Sequence, residues 1–378
     1  MSDINRMRLA DSARRIVVKV GSGVISTRKH GLIPERIQSL AGQIAELVNA
    51  GREVVVVSSG AVAAGASVLG VPDLNGIPIR QAAAAAGQSR LIWKYEKHFQ
   101  ARGIRVAQVL LTQDDVANRR RFLNARNTLG TLLSLGIVPI VNENDSVVVE
   151  EIKFGDNDTL SGLVATLVDA DLLMILSDVD GLFTADPRKH ADAQCIPTVE
   201  SVTDSIRAMA GGAGSREGTG GMVTKLNAAA RLSDTGIPTL LVNGTQPGTI
   251  TRALAGEAVG TLFTAHASPT ARKKHWLMHV ARVDGAIHLD AGAAEALRSG
   301  KKSLLASGIT QVTGHFEMGA GVTLCGPDGT EIGRGLTNYG ADDINRIRGQ
   351  HSSRIEAILG YKAYDEVVHR DNLALNDG

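Results

Sequence analysis

Short, uninterrupted aliphatic runs alternate with amphipathic stretches over the first 263 residues of the chain. Runs without polar alternation are typical of strands that are covered on both faces of a sheet. The segments with this pattern are residues 16–20, 54–57, 106–111, 137–141, 172–176 and 239–242. Helices are predicted between them, from Pro34 to Gly51, from Arg119 to Gly136 and around residues 160–167. This alternation predicts a three-layer α/β/α sandwich with a mainly parallel central sheet.

The pattern changes after residue 263. Residues 264–275 are polar, basic and interrupted by Pro269, which is typical of a linker. Short β-like segments follow at 285–289 and 321–325, separated by turn residues such as 327–329, and predict a small β-barrel with one or two helices. The predicted boundaries are 1–265 for the α/β domain, 266–282 for the linker, 283–361 for the β-rich domain and 362–378 for a C-terminal tail.

Composition and charge narrow the class of protein. Hydrophobic residues make up 43% of the chain, so a large core is expected. The net charge is +1, so no overall electrostatic attraction to nucleic acid or anionic lipid is expected. Cys195 and Cys325 form no metal-ligand pattern and are interpreted as reduced thiols. No apolar leader and no run long enough to span a bilayer is present, so a cytoplasmic protein without a membrane partner is expected.

Polar or glycine-rich segments follow the predicted strands at 19–23, 58–61, 142–146 and 177–178. Each segment alone fits an ordinary turn. Ligands of open parallel sheets bind beyond the carboxyl ends of the strands, so four such segments together predict a ligand site at that edge.

Two lysines stand beside glycine-rich loops that could bind a phosphate. Lys19 lies in an apolar strand, where its charge is costly unless a phosphate or a carboxylate such as Asp158 pairs with it; the alternative is an edge strand that turns Lys19 to solvent. Lys225 ends a glycine-rich loop, residues 218–225, near the start of a helix. Neither loop matches GxxxxGK[ST] or GxGxxG, so each is a weak signal alone. Residues 156–158 include more polar side chains than a helix cap requires.

Several segments together carry a family resemblance, namely Lys19-Val-Gly-Ser, Ser58-Ser-Gly-Ala, Asn142-Glu-Asn-Asp, Gly155-Asp-Asn-Asp and Gly218-Thr-Gly-Gly-Met-Val-Thr-Lys. In these segments the chain resembles the glutamate 5-kinases of the amino acid kinase family, and the region after the linker resembles a PUA domain. The resemblance implies the amino acid kinase fold. It also implies ATP-dependent phosphorylation of the γ-carboxylate of L-glutamate, which gives L-glutamyl 5-phosphate and ADP in the first step of proline biosynthesis.

The resemblance also implies a role for individual residues. Ser59, Asp145 and Asn157 would hold glutamate, with the carboxylate of Asp145 suited to the α-ammonium and hydroxyl or amide donors suited to the α-carboxylate. Lys19 and Lys225 would stabilise the migrating phosphoryl group, and Asp158 would orient both amines. The residues implied for ATP are Lys19, Ser177, Asp178, Thr219, Gly220, Gly221, Met222, Val223, Thr224 and Lys225.

Because the nucleophile is already a carboxylate at neutral pH, no general base is needed, and positioning with charge neutralisation is expected to carry catalysis. Mg²⁺ is expected on the ATP phosphates, and no protein ligand for it is predicted. The resemblance further implies feedback inhibition by proline and a homo-oligomer of two or four chains.

Two alternatives remain at this point. Sister kinases of the same fold act on N-acetylglutamate, aspartate, carbamate or UMP, and fold alone does not choose among them, although residues 142–145 and 155–158 favour free glutamate. RNA binding through the PUA-like region is the other alternative. Its basic clusters, residues 272–274 and 301–302, are short and the chain is nearly neutral, which does not favour a nucleic-acid partner.

Overall fold

The computed structural model describes residues 2–27, 31–70, 74–147, 157–210, 221–265, 283–299 and 302–376. Residue contacts divide the chain into two compact units. The first comprises residues 1–118 and 124–269, and the second comprises residues 119–123 and 270–378. The predicted linker, residues 266–282, lies outside the described residues.

An eight-stranded sheet forms the centre of the first unit. Its strands are β1 (Arg15–Val20), β4 (Glu53–Ser58), β5 (Arg105–Leu111), β6 (Ile137–Glu143), β7 (Leu172–Ser177), β8 (Thr198–Val199), β9 (Thr239–Asn243) and β10 (Thr261–Phe263); β2 (Ser26–Thr27) and β3 (Gly31–Leu32) form a separate hairpin. The strand order is β5-β6-β4-β1-β7-β9-β10-β8. The pairing of β9 with β10 is antiparallel, and the other pairings in this sheet are parallel. The six predicted strands and the mainly parallel sheet are confirmed.

Helices connect these strands. They are α1 (Ser2–Ser12), α2 (Ser22–Ile25), α3 (Pro34–Asn49), α4 (Ala61–Leu69), α5 (Ile77–Gln100), α6 (Gln113–Ala117), α7 (Arg119–Ser134), α8 (Asn157–Leu167), α9 (Asp204–Ala210), α10 (Met222–Asp234) and α11 (Thr249–Leu254). The predicted ends of α3 and α7 are confirmed, because Gly51 and Gly136 follow them with φ of 80° and 66°, a left-handed conformation that favours glycine.

Strand β1 is covered on both faces. Val18 and Val20 belong to the core cluster that includes Ile44 of α3 and side chains of α5. Lys19 points to the opposite face, since successive side chains of a strand alternate, and there it contacts Asp158 of α8. Helices therefore cover both faces of the sheet, which confirms the predicted three-layer α/β/α sandwich.

Helices α4 and α5 pack in backbone contact at two glycines. A Cβ atom on Gly65 would lie 1.7 Å from the carbonyl oxygen of Ala83, and one on Gly87 would lie 1.9 Å from that of Ala61. A side chain at either position would separate the helices, because real Cβ contacts are never this short. The glycines thus hold α5 close to the first turn of α4, which directly follows β4.

The second unit is a small β-structure with its own apolar core. Its strands are β11 (Val283–Leu289), β12 (Leu304–Leu305), β13 (Ile309–Gly314), β14 (Gly321–Cys325), β15 (Glu331–Leu336), β16 (Glu366–Val368) and β17 (Leu373–Leu375), with sheet order β13-β11-β14-β15-β17 and a separate β12-β16 pair. The helices α12 (Ala291–Arg298), α13 (Ala341–Ile347) and α14 (Ile355–Leu359) accompany them. The described residues of this unit form three α-helices, more than the one or two predicted, because α14 has five residues and too few turns for an amphipathic pattern.

Strands β16 and β17 lie in the segment predicted as a C-terminal tail. Strand β16 pairs with β12, and β17 pairs antiparallel with β15. Val367 and Val368 are fully buried in the core of this unit. The last residues described are therefore part of the folded second unit.

Candidate active site

Four neighbouring strands of the sheet, β6, β4, β1 and β7, end at the same edge. Since β4 and β7 both pair in parallel with β1, and β6 pairs in parallel with β4, their carboxyl ends point the same way. The polar segments predicted to converge after these strands therefore do so. Asn157, the first residue of α8, donates a hydrogen bond to Ser59 at this edge, so that helix starts there as well.

A buried cluster of three charged side chains lies at this edge. The ammonium nitrogen of Lys19 lies 2.6 Å from one carboxylate oxygen of Asp158, and that of Lys225 lies 3.1 Å from the other. Lys19 is 4% exposed, Lys225 is 7% exposed and Asp158 is 1% exposed. Lys19 points into the protein, so the alternative of a solvent-facing edge lysine is wrong. We refer to these three residues as the charge cluster.

The charge cluster contains one more cation than anion when all three groups are ionised. Burial acts to raise the pKa of Asp158, but the charges of Lys19 and Lys225, with hydrogen bonds from Lys19 and Thr224, outweigh it and hold that pKa well below its usual range. Burial lowers the pKa of Lys225; the nearby charge of Lys19 adds to this effect, and Asp158 opposes it. The carboxylate of Asp158 thus stays ionised between the two amines, and the charge of Asp178 also favours the charged form of Lys225. Such a cluster is suited to bind a further anion.

Neutral polar side chains form a hydrogen-bonded chain beside the charge cluster. The Nδ2 atom of Asn157 donates to Oγ of Ser59 at 2.9 Å and to Oδ1 of Asn142 at 3.1 Å. The Nδ2 atom of Asn142 in turn donates to Oε1 of Gln88 in α5 at 2.8 Å. We refer to these four residues as the amide relay. Its members come from the ends of β4 and β6, the start of α8 and the middle of α5.

Asp145 follows β6 at the same edge and is only 8% exposed. Burial raises the pKa of this carboxyl to about 6, against the opposing charge of Arg80. Near neutral pH the carboxylate is therefore ionised but poorly solvated. A carboxylate in this state favours a cationic ligand.

The end of β7 approaches the loop after β1 closely. Ser177 is buried, and its hydroxyl donates to Oδ1 of Asp178 at 3.3 Å. A Cβ atom on Gly23 would lie 3.5 Å from the Asp178 carboxylate, and one on Gly21 would lie 3.0 Å from the carbonyl oxygen of Leu176. The glycines after β1 therefore lie directly against the end of β7, where a side chain at position 21 would be crowded.

Helix α10 brings the end of the second glycine-rich loop to the charge cluster. Gly221 precedes its first residue, Met222, and no side chain caps the helix N-terminus. The hydroxyl of Thr224 lies 2.6 Å from Oδ2 of Asp158 and 2.7 Å from the carbonyl oxygen of Gly221. Val223 is 47% exposed, so its side chain is open to solvent. Uncapped N–H groups next to buried cations suit a phosphate.

Thr219 and Gly220, which were predicted to bind ATP, lie outside the described residues. Within the described ranges, no group of three or more His, Cys, Asp or Glu side chains is placed to hold a metal ion. Over the same ranges, no helix has the length and apolar character to cross a membrane. Cys195 and Cys325 are both free thiols.

Sequence reasoning missed Gln88 and gave no separate role to Asn142, although Asn142 stands in the Asn-Glu-Asn-Asp segment. The position of Asn142 at a strand end was a usable signal. Gln88 lies within a helix after a run of small residues and had no such signal in the sequence.

Known proteins match this chain over nearly its whole length. The model of the Amino acid kinase family matches residues 14–243, and that of the PUA domain matches residues 285–359. Glutamate 5-kinase from Geobacter sulfurreducens is 53% identical over 371 residues, which is 98% of this chain and 100% of that protein. Glutamate 5-kinase from Geobacter sp. strain M21 is 50% identical over 371 residues, which is again 98% of this chain and 100% of that protein. Glutamate 5-kinase from Moorella thermoacetica is 50% identical over 97% of each chain.

The charge cluster generates a prediction for stability. Asp158→Asn keeps the shape of the side chain but leaves two buried ammonium groups without a counter-charge, so the free energy of unfolding should fall by about 3–5 kcal/mol. Urea unfolding at neutral pH measures the change. The control is Asp186→Asn, which removes a carboxylate paired with the exposed side chain of Arg188 and should leave the unfolding midpoint unchanged. Equal midpoints for the two variants would contradict the prediction.

Proposed function

The chain belongs to the amino acid kinase family, and we propose that it transfers the γ-phosphoryl group of ATP to the γ-carboxylate of L-glutamate. The products are L-glutamyl 5-phosphate and ADP, and the reaction is the first step of proline biosynthesis. The charge cluster at the edge of the sheet, in a chain about half identical to glutamate 5-kinases over its length, is the observation that carries the proposal.

We propose that glutamate lies against the amide relay. Asp145 is 8% exposed, and its carboxylate suits the α-ammonium of an amino acid, because a poorly solvated anion gains most from a cationic partner. Ser59 and Asn157, joined by a 2.9 Å hydrogen bond, supply the neutral polar contacts. This arrangement would recognise the amino-acid end of the substrate and leave its γ-carboxylate for reaction.

In the proposed reaction, an oxygen of the γ-carboxylate attacks the γ-phosphorus of ATP. The bond between that phosphorus and the bridging oxygen breaks, and ADP leaves with the bonding electrons. Lys19 and Lys225 stabilise the charge on the transferring group and on ADP, while Asp158 acts as a positioning residue through its two ion pairs. No proton needs to be removed from the nucleophile.

ATP is proposed to lie over Ser177 and Asp178 with its phosphates at the N-terminus of α10. We propose that Mg²⁺ is bound through the phosphate oxygens of ATP. The ion would supply further charge neutralisation there. Proline inhibition, assembly into a dimer or tetramer, a cytoplasmic location and the domain boundaries given above stay predictions.

Substrate preference tests the proposed function. ADP release should be fastest with L-glutamate, with kcat/KM at least about tenfold above that for N-acetylglutamate, aspartate, carbamate or UMP. The panel is measured in a coupled assay with ATP and Mg²⁺, and a reaction without acceptor gives the background. Preference for another acceptor would replace glutamate in the proposal while leaving the family assignment unchanged.

Removal of a lysine from the charge cluster should affect turnover more than binding. Lys225→Ala leaves a neutral Lys19–Asp158 pair, so the variant should fold, but kcat should fall by about 10²–10³-fold. Steady-state kinetics with glutamate and ATP measure the loss. Lys97→Ala is the control, since Lys97 lies 5.4 Å over the Trp93 ring, away from the strand ends, and should keep normal turnover. Near-normal kcat in Lys225→Ala would exclude this lysine from phosphoryl transfer.

Asp145 should make glutamate binding dependent on pH. Its pKa is raised to about 6 by burial, so it is ionised above this pH and loses its charge below it. The glutamate dissociation constant should be flat above this pH and increase by about tenfold per unit below it. Titration calorimetry without nucleotide measures this and avoids the titration of ATP. Asp145→Asn should bind weakly at every pH in this range; a flat profile for the unmodified protein would contradict the assignment.

A further inference from the structure

The amide relay leaves one acceptor of Asn157 unused. Both hydrogens of its Nδ2 atom are donated, one to Ser59 and one to Asn142. Its Oδ1 atom is buried and has no hydrogen-bond partner among the described residues. A buried carbonyl oxygen without a partner costs about 1–3 kcal/mol, so a ligand that donates to it would recover this cost. The relay therefore contains a buried acceptor that is unpaired among the described residues.

Asn142 links the orientation of the Gln88 amide to that of the Asn157 amide. Its Oδ1 atom accepts from Asn157 at 3.1 Å, and its Nδ2 atom donates to Gln88 at 2.8 Å. If the Asn142 amide turned over, its oxygen would face the oxygen of Gln88 and its NH₂ group would face the NH₂ group of Asn157. Both contacts would be repulsive. The orientations of the Asn142 and Asn157 amides are therefore coupled to that of the Gln88 amide, whose own Nε2 atom is buried without a hydrogen-bond partner among the described residues.

The position of Gln88 is fixed by backbone packing. It directly follows Gly87, whose Cα lies so close to α4 that a Cβ atom would be 1.9 Å from the carbonyl oxygen of Ala61. Ala61 is the first residue of α4, and Ser59 lies two residues before it. The same helix contact therefore sets both ends of the relay, Gln88 and Ser59. A rigid anchor of this kind suits a residue that orients others.

We propose that Gln88 is a positioning residue for the amino-acid substrate: through Asn142 it holds Asn157 with its amide oxygen available to the α-ammonium group, next to Asp145. This inference rests on the proposed function and deepens it. Gln88 itself touches no reacting group. In this hydrogen-bond pattern Asn157 accepts from the ammonium, and donation from its amide to the α-carboxylate does not fit, because both of its hydrogens are already used.

Gln88→Met tests the proposal, because methionine has a similar length and no amide oxygen. The KM for glutamate and the glutamate dissociation constant from calorimetry should each rise about tenfold, while kcat and the KM for ATP stay within about twofold. The control is Gln43→Met. Gln43 is also a helical glutamine, and its side chain accepts from the backbone N–H of Ile250 at 2.9 Å, so this variant should lose stability without a change in glutamate KM.

A double-mutant cycle separates positioning from a general structural role. If Gln88 acts through Asn142, Gln88→Met should weaken glutamate binding by less than about twofold when introduced into Asn142→Ala. A full effect in both backgrounds would overturn the proposal, as would an equal rise in the KM for ATP or an unchanged glutamate KM in Gln88→Met. Failure of the unmodified protein to phosphorylate glutamate would instead overturn the proposed function.

Discussion

The burial of two lysines against one carboxylate is the interaction on which the site depends. Lys19, Asp158 and Lys225 belong to β1, α8 and α10, which are far apart in the sequence and meet only in the folded chain. Burying three charged groups with one cation in excess is unfavourable unless the fold holds their geometry and a further anion completes the pairing. The excess of positive charge within these three residues suits them to bind phosphate groups in the proposed reaction.

The strand order explains how this cluster comes to lie beside the amide relay. Since β6, β4, β1 and β7 are consecutive neighbours, their carboxyl ends deliver Asn142, Ser59, the loop after Lys19 and Ser177 side by side. A different order of the same strands would separate these side chains by whole strand spacings of about 5 Å each. The loop after β1 also lies close to the end of β7. A Cβ atom on Gly21 would lie 3.0 Å from the carbonyl oxygen of Leu176.

The sequence alone predicted two kinds of feature: elements with a regular hydrophobic pattern, and a charged residue placed where a hydrophobic one is expected. Continuous aliphatic runs predicted the buried strands, and a lysine inside one of them predicted a buried partner for Lys19. Gln88 could not be predicted, because its role arises from a helix crossing at Gly65 and Gly87 and from two side chains that act in series. The short helix α14 was missed for another reason, since five residues give no periodicity to detect.

The two parts of the site differ in kind, and this difference bears on specificity. Charge attracts any anion, so the charge cluster by itself would discriminate poorly between acceptors. Neutral amides fixed in one orientation discriminate by geometry, since a substrate that lacks the matching donor leaves a buried atom such as Asn157 Oδ1 unpaired. Asp145, the anionic group proposed to face the substrate's amine, follows β6 at the same edge of the sheet, so both effects would act on the substrate. The proposed roles therefore predict that turnover changes with the lysines and that selectivity changes with the amide relay.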